Sequence, residues 1–146
     1  MSTRAKNQQF IESYLKRNGV VDKKKVVEII SGFDLDKPVY ATNLEPDDHL
    51  FQFMGNEQSG RPVAQTGNWF CISRGTTKDS LAIFDGLAGR RKQEFIVQRH
   101  MQALEGTAAP LARQWAWAGG GAGGATQLYL PAQALLGLAG VGTHMD

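Results

Sequence analysis

A run of glycines followed by one polar residue is the stretch of this sequence best suited to hold a small molecule. Residues 119–125 contain five glycines, and Thr126 and Gln127 then open an apolar run at 128–131. Glycine lets a backbone approach a ligand closely or move over it. A strand fixes the direction of the side chain at its start, and the amide of Gln127 both donates and accepts hydrogen bonds. The glycine run is either the wall of a binding cleft or a flexible connector.

Other polar and aromatic residues stand at the ends of predicted strands. Gln52 interrupts an aromatic strand, Trp69 and Phe70 open another, and Ser73 and Arg74 close it. Each has a structural alternative. Gln52 could face solvent, Arg74 could be a surface cation, and one of the two aromatic residues should enter the core because strand side chains alternate between faces.

The sequence lacks the spacings of several familiar catalytic and metal sites. We find no Ser-His-Asp, Cys-His or paired-carboxylate pattern, and no phosphate-binding loop, since a strand rather than a helix follows the glycines. The sequence has no pair of cysteines or histidines at ligand spacing, which predicts no metal. The single cysteine, Cys71, lies in a strand-like run and is predicted to be a small buried residue.

The composition fits one domain with an ordinary apolar core and gives no sign of a polyanionic partner. The chain has 146 residues, 42% of them apolar, and a formal net charge of +2. So balanced a charge argues against binding to nucleic acid or an acidic membrane. No segment is long and apolar enough to span a bilayer. The N-terminus lacks the apolar core of a signal peptide, so we expect any secretion to proceed without a cleaved signal.

The hydrophobic pattern predicts helices first and short strands afterwards, an α+β arrangement. Helices are predicted at 6–17 and from Asp22 to Gly32, and a further helix at 81–84 after an N-cap at 76–80. The range 93–109 is compatible with a helix or strands, and strands are favoured for part of it. Strands are predicted at 39–44, 49–54, 68–73 and 127–130, and a helical turn or short strand at 134–138 closes the pattern.

Three ordered blocks resemble a known family. Together they resemble bacterial polymorphic-toxin C-terminal domains. The first block, 39–53, has a proline-containing turn before an aromatic strand; the second, 67–76, has an aromatic pair and a Gly-Thr turn; the third is the glycine run and strand at 119–131. The resemblance covers residues 38–136 and points to the NAD glycohydrolase and ADP-ribosyltransferase-like class delivered by type VI secretion. The two helices predicted from the hydrophobic pattern form an N-terminal lead-in at 1–36, packed on the core. The resemblance implies that they precede a small, mostly antiparallel, ADP-ribosyltransferase-like β core at 37–146 that forms the catalytic domain.

The resemblance also implies an activity and its partners. The expected reaction is hydrolysis of NAD⁺, with NADP⁺ as a second candidate substrate, to nicotinamide and ADP-ribose in the cytoplasm of a target bacterium. NAD⁺ is then the substrate, and no cofactor is expected. The expected protein partners are a cognate immunity protein and a type VI delivery component, with no nucleic acid and no membrane.

The resemblance assigns roles to the polar residues of the three blocks. Gln127 would hold the nicotinamide ribose, Ser73 would contact the ribose, and Arg74 would bind the diphosphate, with Arg61 in reserve. Trp69 or Phe70 would stack on the nicotinamide.

The sequence departs from the related folds in two places. Gln52 stands where they place a basic residue, and His49 lies three positions earlier; both are counted with Thr126 among the residues expected to bind NAD⁺. The final strand lacks a Glu-x-Glu or Gln-x-Glu pair, which favours water over a protein as the acceptor. Two alternatives stay open: an ADP-ribosyltransferase acting on a protein or nucleic acid, and a non-enzymatic module that binds through Trp115 and Trp117.

Overall fold

The computed structural model describes residues 2–54, 68–72, 91–109 and 124–145. Predictions that fall outside these ranges, among them the helix at 81–84, are not addressed by the structure. The described elements are three helices, α1 (Thr3–Arg17), α2 (Lys23–Ser31) and α3 (Ala132–Leu135), and seven strands: β1 (Tyr40–Leu44), β2 (His49–Met54), β3 (Trp69–Phe70), β4 (Arg91–Val97), β5 (Met101–Thr107), β6 (Thr126–Tyr129) and β7 (Leu138–Met145).

Side-chain caps and glycines set the ends of the two N-terminal helices. The Ser2 hydroxyl accepts from the backbone N–H of Ala5, so α1 begins three residues before the predicted start at residue 6. Gly19 follows its C-cap at φ 79°, a conformation that favours glycine. The carboxylate of Asp22 caps α2, which ends at Gly32 as predicted.

The strands form two antiparallel sheets. A four-stranded sheet has the order β1-β5-β6-β3, and a three-stranded sheet has the order β2-β4-β7. The sheets meet at one isolated bridge, in which Phe51 of β2 and Cys71 exchange backbone hydrogen bonds of 2.8 and 2.7 Å. This backbone contact between the two sheets lies directly after the short strand β3.

The four-stranded sheet is the middle layer of the molecule. One face packs against the helices, in a cluster that joins Tyr14 and Leu15 of α1 to Leu104 and Tyr129 of the sheet. Alternate residues such as Leu128 point the other way and form a second cluster with the three-stranded sheet.

Polar side chains also tie α1 to the rest of the chain. The Tyr14 hydroxyl donates to the carbonyl of Gln102 on β5 at 2.8 Å. The Asn7 amide Nδ2 donates to the carbonyls of Leu35 and Lys37 at 2.8 and 2.9 Å. The helices are therefore joined to the sheet by buried apolar area and by hydrogen bonds.

The predicted α+β class, with N-terminal helices before an antiparallel β core, is confirmed. Within 93–109 the strand interpretation is correct, because β4 and β5 occupy most of that range. The prediction that the last element ends at residue 138 is wrong, since strand β7 continues to Met145 and pairs with β4 along its length. The strand predicted at 68–73 is shorter than expected, and Cys71 is buried as predicted.

No helix in the described ranges has the length and apolar character needed to cross a membrane.

Candidate functional site

Trp69 lies at the centre of a small aromatic group between α2 and the four-stranded sheet. Its ring centroid is 5.3 Å from that of Phe33 and 5.3 Å from that of Tyr129. Gly32 also packs against the ring, because a Cβ there would lie only 3.1 Å from Trp69 Cη2. We call Gly32, Phe33, Trp69 and Tyr129 the Trp69 cluster. Trp69 itself is half-buried, so part of its surface is exposed to solvent.

Gln127 is fixed against this cluster. It precedes Tyr129 by two residues on β6 and therefore shares its face of the sheet. Its Nε2 donates to the carbonyl of Gly32 at 2.5 Å, and the residue is 6% exposed. Within the described residues no hydrogen bond to its Oε1 is found. The amide is thus held by its nitrogen, and its oxygen retains its capacity to accept.

Gln52, on β2 of the three-stranded sheet, contacts the backbone of β3. Its Nε2 donates to the Trp69 carbonyl at 3.1 Å, and the residue is 5% exposed. The alternative in which Gln52 faces solvent is therefore wrong, since the four-stranded sheet covers this face of β2. Its Oε1 is buried and has no hydrogen-bond partner.

Gln127 and the Trp69 ring lie on the helix-facing side of the four-stranded sheet, whereas Gln52 binds the Trp69 backbone carbonyl from the side of the three-stranded sheet. Each glutamine amide is anchored through its nitrogen to a backbone carbonyl, one of Trp69 and one of the residue that packs on the Trp69 ring. Sequence reasoning missed Gly32 and Phe33. Gln127 and Gly32 are 95 residues apart, and neither Gly32 nor Phe33, which follow α2, carries a local sign of a contact with this strand.

Phe70 points away from the Trp69 cluster. It is 2% exposed and packs edge-to-face on Phe95, with ring centroids 5.5 Å apart. The predicted alternation of the aromatic pair is confirmed. Of the two candidates for stacking on a ligand, Trp69 is the one that is partly exposed to solvent.

The remaining predicted site residues are not gathered around Trp69 in the described structure. His49 Nδ1 lies 2.5 Å from Glu94 Oε2, on the face of β2 opposite to Gln52. Thr126 is exposed at the start of β6. Ser73, Arg74 and Arg61, and the glycine run as far as residue 123, lie outside the described residues, so their assigned roles stay predictions.

The described residues contain no group of His, Cys, Asp and Glu side chains arranged to hold a metal ion.

The tyrosines beneath the site resist ionisation. Burial raises the pKa of Tyr129 above its ordinary value of 10.0. Burial, and then the proximity of Tyr129, raise the pKa of Tyr14 as well. A buried phenol disfavours its charged form.

This predicts a loss of stability at alkaline pH. The tyrosines ionise at a lower pH in the unfolded chain than in the folded protein. Their contribution is therefore fully present below about pH 10 and is lost as the pH rises through the raised pKa. We expect the urea midpoint to fall between pH 8 and about pH 11. In Tyr14→Phe the fall should be smaller, and an equal fall in the two proteins would contradict the assignment to Tyr14.

Comparisons with known proteins identify the fold through solved structures. No protein-family model matches the sequence, and no curated protein matches it. The chain is similar to a structure of Tse6 in complex with Tsi6, with a TM-score of 0.77 and 20% identity over 97% of this chain and 98% of the other.

Two further solved structures share the fold over a smaller part. One is Rhs1-CT in complex with its cognate immunity protein RhsI1, with a TM-score of 0.53 and 19% identity over 78% of this chain and 83% of that one. The other is Tne2 in complex with Tni2, with a TM-score of 0.53 and 16% identity over 75% of this chain and 94% of that one. All three neighbours were solved with a partner protein bound.

Proposed function

We propose that this chain is the toxin domain of an interbacterial antagonism system and that it hydrolyses NAD⁺. The observation that carries the proposal is the buried Gln127 amide, which is anchored to the carbonyl of Gly32, the residue that packs on the Trp69 ring. The fold it shares with Tse6, Rhs1-CT and Tne2 supports the toxin class. A bound cognate immunity protein in one of these structures supports an immunity protein as the partner that blocks the site in the producing cell.

The proposed reaction needs positioning more than acid catalysis. The bond between C1′ of the ribose and N1 of the pyridinium breaks, and its electron pair neutralises the ring nitrogen. Nicotinamide leaves as a neutral molecule, and the ribose passes through an oxocarbenium-like state, as in glycoside hydrolysis. Water then bonds to C1′ and releases a proton, which gives ADP-ribose.

Gln127 is suited to act on that transition state. Its nitrogen is held by Gly32, so its Oε1 is presented in a fixed direction. A pre-oriented carbonyl dipole stabilises a developing positive charge and accepts from a ribose hydroxyl without reorganising first.

The other proposed contacts complete the grip on the dinucleotide. The exposed part of the Trp69 ring would lie against the nicotinamide. Ser73 and Arg74 would contact the ribose and diphosphate, with Arg61 in reserve. Thr126 and His49 would lie at the periphery. The domain would reach the cytoplasm of the target bacterium by type VI delivery.

The test is to incubate the purified protein with NAD⁺ labelled in its adenylate half. We expect equal amounts of nicotinamide and labelled free ADP-ribose, and NADP⁺ serves as the parallel substrate. Expression in a bacterial cytoplasm should lower its NAD⁺ content before growth stops, and co-expression of the immunity protein should prevent this.

Two results would overturn the proposal in different ways. Label retained on a macromolecule would identify a transferase. Absence of nicotinamide release by protein with a cooperative melting transition would leave a binding module.

A further inference from the structure

Three consecutive lysines, Lys23, Lys24 and Lys25, form the first turn of α2, and no acidic residue accompanies them in that turn. The N-terminal turn of a helix carries partial positive charge, so cations there are unfavourable, and the mutual repulsion of the lysines adds to the cost. A carboxylate in the same place would stabilise the helix. We expect a sequence to break a local rule of this kind where a function requires it.

The lysines belong to a larger cationic surface. Helix α1 ends in Lys16 and Arg17, and residues 18–22 alone separate that end from the start of α2. We call five exposed side chains the cationic corner: Lys16, Arg17, Lys23, Lys24 and Lys25. Residues 16–25 hold these five cations and one carboxylate, which gives a formal charge of +4 against +2 for the whole chain. The rest of the chain therefore carries −2.

The described residues do not neutralise this corner. None of its five side chains forms an ion pair with another described residue. The carboxylates about one helical turn away, those of Glu12 and Glu28, form no described ion pair with it, and the Asp22 carboxylate caps α2. The positive charge of the corner therefore acts outwards, on whatever approaches it.

Two exposed valines lie beside the cations. Val21 is 75% exposed between the two helices, and Val27 is 64% exposed on α2, three residues after Lys24. A nucleic acid binds such a surface through its phosphates, which offer nothing to an aliphatic side chain. Helices that lie on anionic membranes present larger apolar residues such as Trp, Phe and Leu. Aliphatic side chains among unpaired cations fit an acidic protein surface that has an apolar centre.

The corner is close to the proposed site. Helix α2 leads from the corner to Gly32, whose carbonyl holds Gln127 and which packs on the Trp69 ring. At a rise of about 1.5 Å per residue, Val27 lies about 8 Å and Lys23 about 14 Å along the helix from Gly32. A standard protein interface covers about 800 Å² on each partner. A protein seated over Trp69 therefore also reaches α2.

We propose that the cationic corner is the surface on which the immunity protein first docks, attracted and oriented by an acidic face of its own. The inference rests on the proposed function. A cell that makes this toxin needs it bound before it consumes NAD⁺, and complementary charge raises association rates by about 10- to 1,000-fold. The exposed valines supply short-range apolar contact, which acts on dissociation.

The test measures association and dissociation rates between the whole protein and its cognate immunity protein at about 20 mM and about 500 mM NaCl. The wild-type association rate should fall by about 30-fold or more across this range. The triple variant Lys23→Glu/Lys24→Glu/Lys25→Glu should associate about 100-fold more slowly at low salt and within about threefold of wild type at high salt. Val21→Ala/Val27→Ala should keep the association rate and raise the dissociation rate about fivefold.

Lys6→Glu is the matched control for Lys24→Glu. Both replace an exposed lysine near the start of a helix and change the net charge equally, but Lys6 lies at the end of α1 that is remote from the corner. Lys24→Glu should slow association about fivefold at low salt, and Lys6→Glu less than about twofold. Nicotinamide release should be unchanged in every variant. The melting temperature of the triple variant should not fall, because glutamate suits the start of α2.

The outcomes separate the inference from the function on which it rests. Equal association rates for the wild type and the triple variant would overturn the inference and leave the toxin. Equal slowing by Lys6→Glu would overturn the placement at the corner, since net charge alone would then explain the rate. Binding of duplex DNA or phosphatidylserine vesicles that the triple variant loses, with unchanged association of the immunity protein, would reassign the corner to a polyanion. Absence of NAD⁺ turnover would overturn the hydrolase, while the association rates still decide the docking surface.

Discussion

Replacing Gln127 with alanine should lower kcat/KM for NAD⁺ by about 100-fold or more. The variant removes an oxygen whose direction is fixed by the bond from Nε2 to the Gly32 carbonyl. Loss of one preoriented polar group from an active site has an effect of this size because nothing else reorganises to replace it. Initial rates of nicotinamide release, measured well below the melting temperature, give the value.

The same substitution also has a structural cost. It deletes a buried hydrogen bond and leaves the Gly32 carbonyl short of a donor, which should reduce the free energy of unfolding by about 1–3 kcal/mol. If Gln127 were only a tether between α2 and β6, activity would fall in proportion to the loss of folded protein.

Asn7→Ala is a control matched in the kind of bond it removes. Asn7 also donates from its amide nitrogen to backbone carbonyls, those of Leu35 and Lys37. As with Gln127, a side-chain amide therefore holds the main chain of a distant segment. Asn7 makes no contact with the Trp69 cluster among the described interactions. We expect a loss of about 1–2 kcal/mol in stability with kcat/KM within about threefold of wild type. Equal losses of activity in the two variants would contradict the proposed role of Gln127.

Local signals in the sequence were sufficient where the structure is decided locally. Asp22 and Gly32 mark the ends of α2 because a side-chain cap and a glycine act within one turn. Trp69 and Phe70 point to opposite faces because strand geometry alternates, whatever the strand packs against.

The site itself depends on contacts that no local signal carries. Gly32 receives the Gln127 amide from 95 residues away. The burial of Gln52 depends on a second sheet laid over β2, which alternation within β2 does not reveal. Similarly, the glycines of β7 weaken its strand pattern, yet pairing with β4 makes it a strand.

Replacing Tyr14 with alanine should reduce the free energy of unfolding by about 3–5 kcal/mol. Tyr14 is fully buried between α1 and the four-stranded sheet, and its hydroxyl binds the Gln102 carbonyl. The variant loses the ring contacts, leaves a cavity and unpairs that carbonyl. Tyr14→Phe, which loses only the hydroxyl, should cost about 1 kcal/mol. Urea unfolding followed by tryptophan fluorescence measures both.

The exposed neighbour Ser13 supplies the control, since Ser13→Ala on the same helix should change stability by less than about 0.5 kcal/mol. Tyr14 belongs to the same packed cluster as Tyr129 and, through it, Trp69. If α1 were a separable lead-in, Tyr14→Ala would melt the helix and leave the main transition and NAD⁺ turnover unchanged. A single transition that moves as a whole, with turnover lost at a correspondingly lower temperature, would mean that the N-terminal helices support the Gln127 site and fold with it.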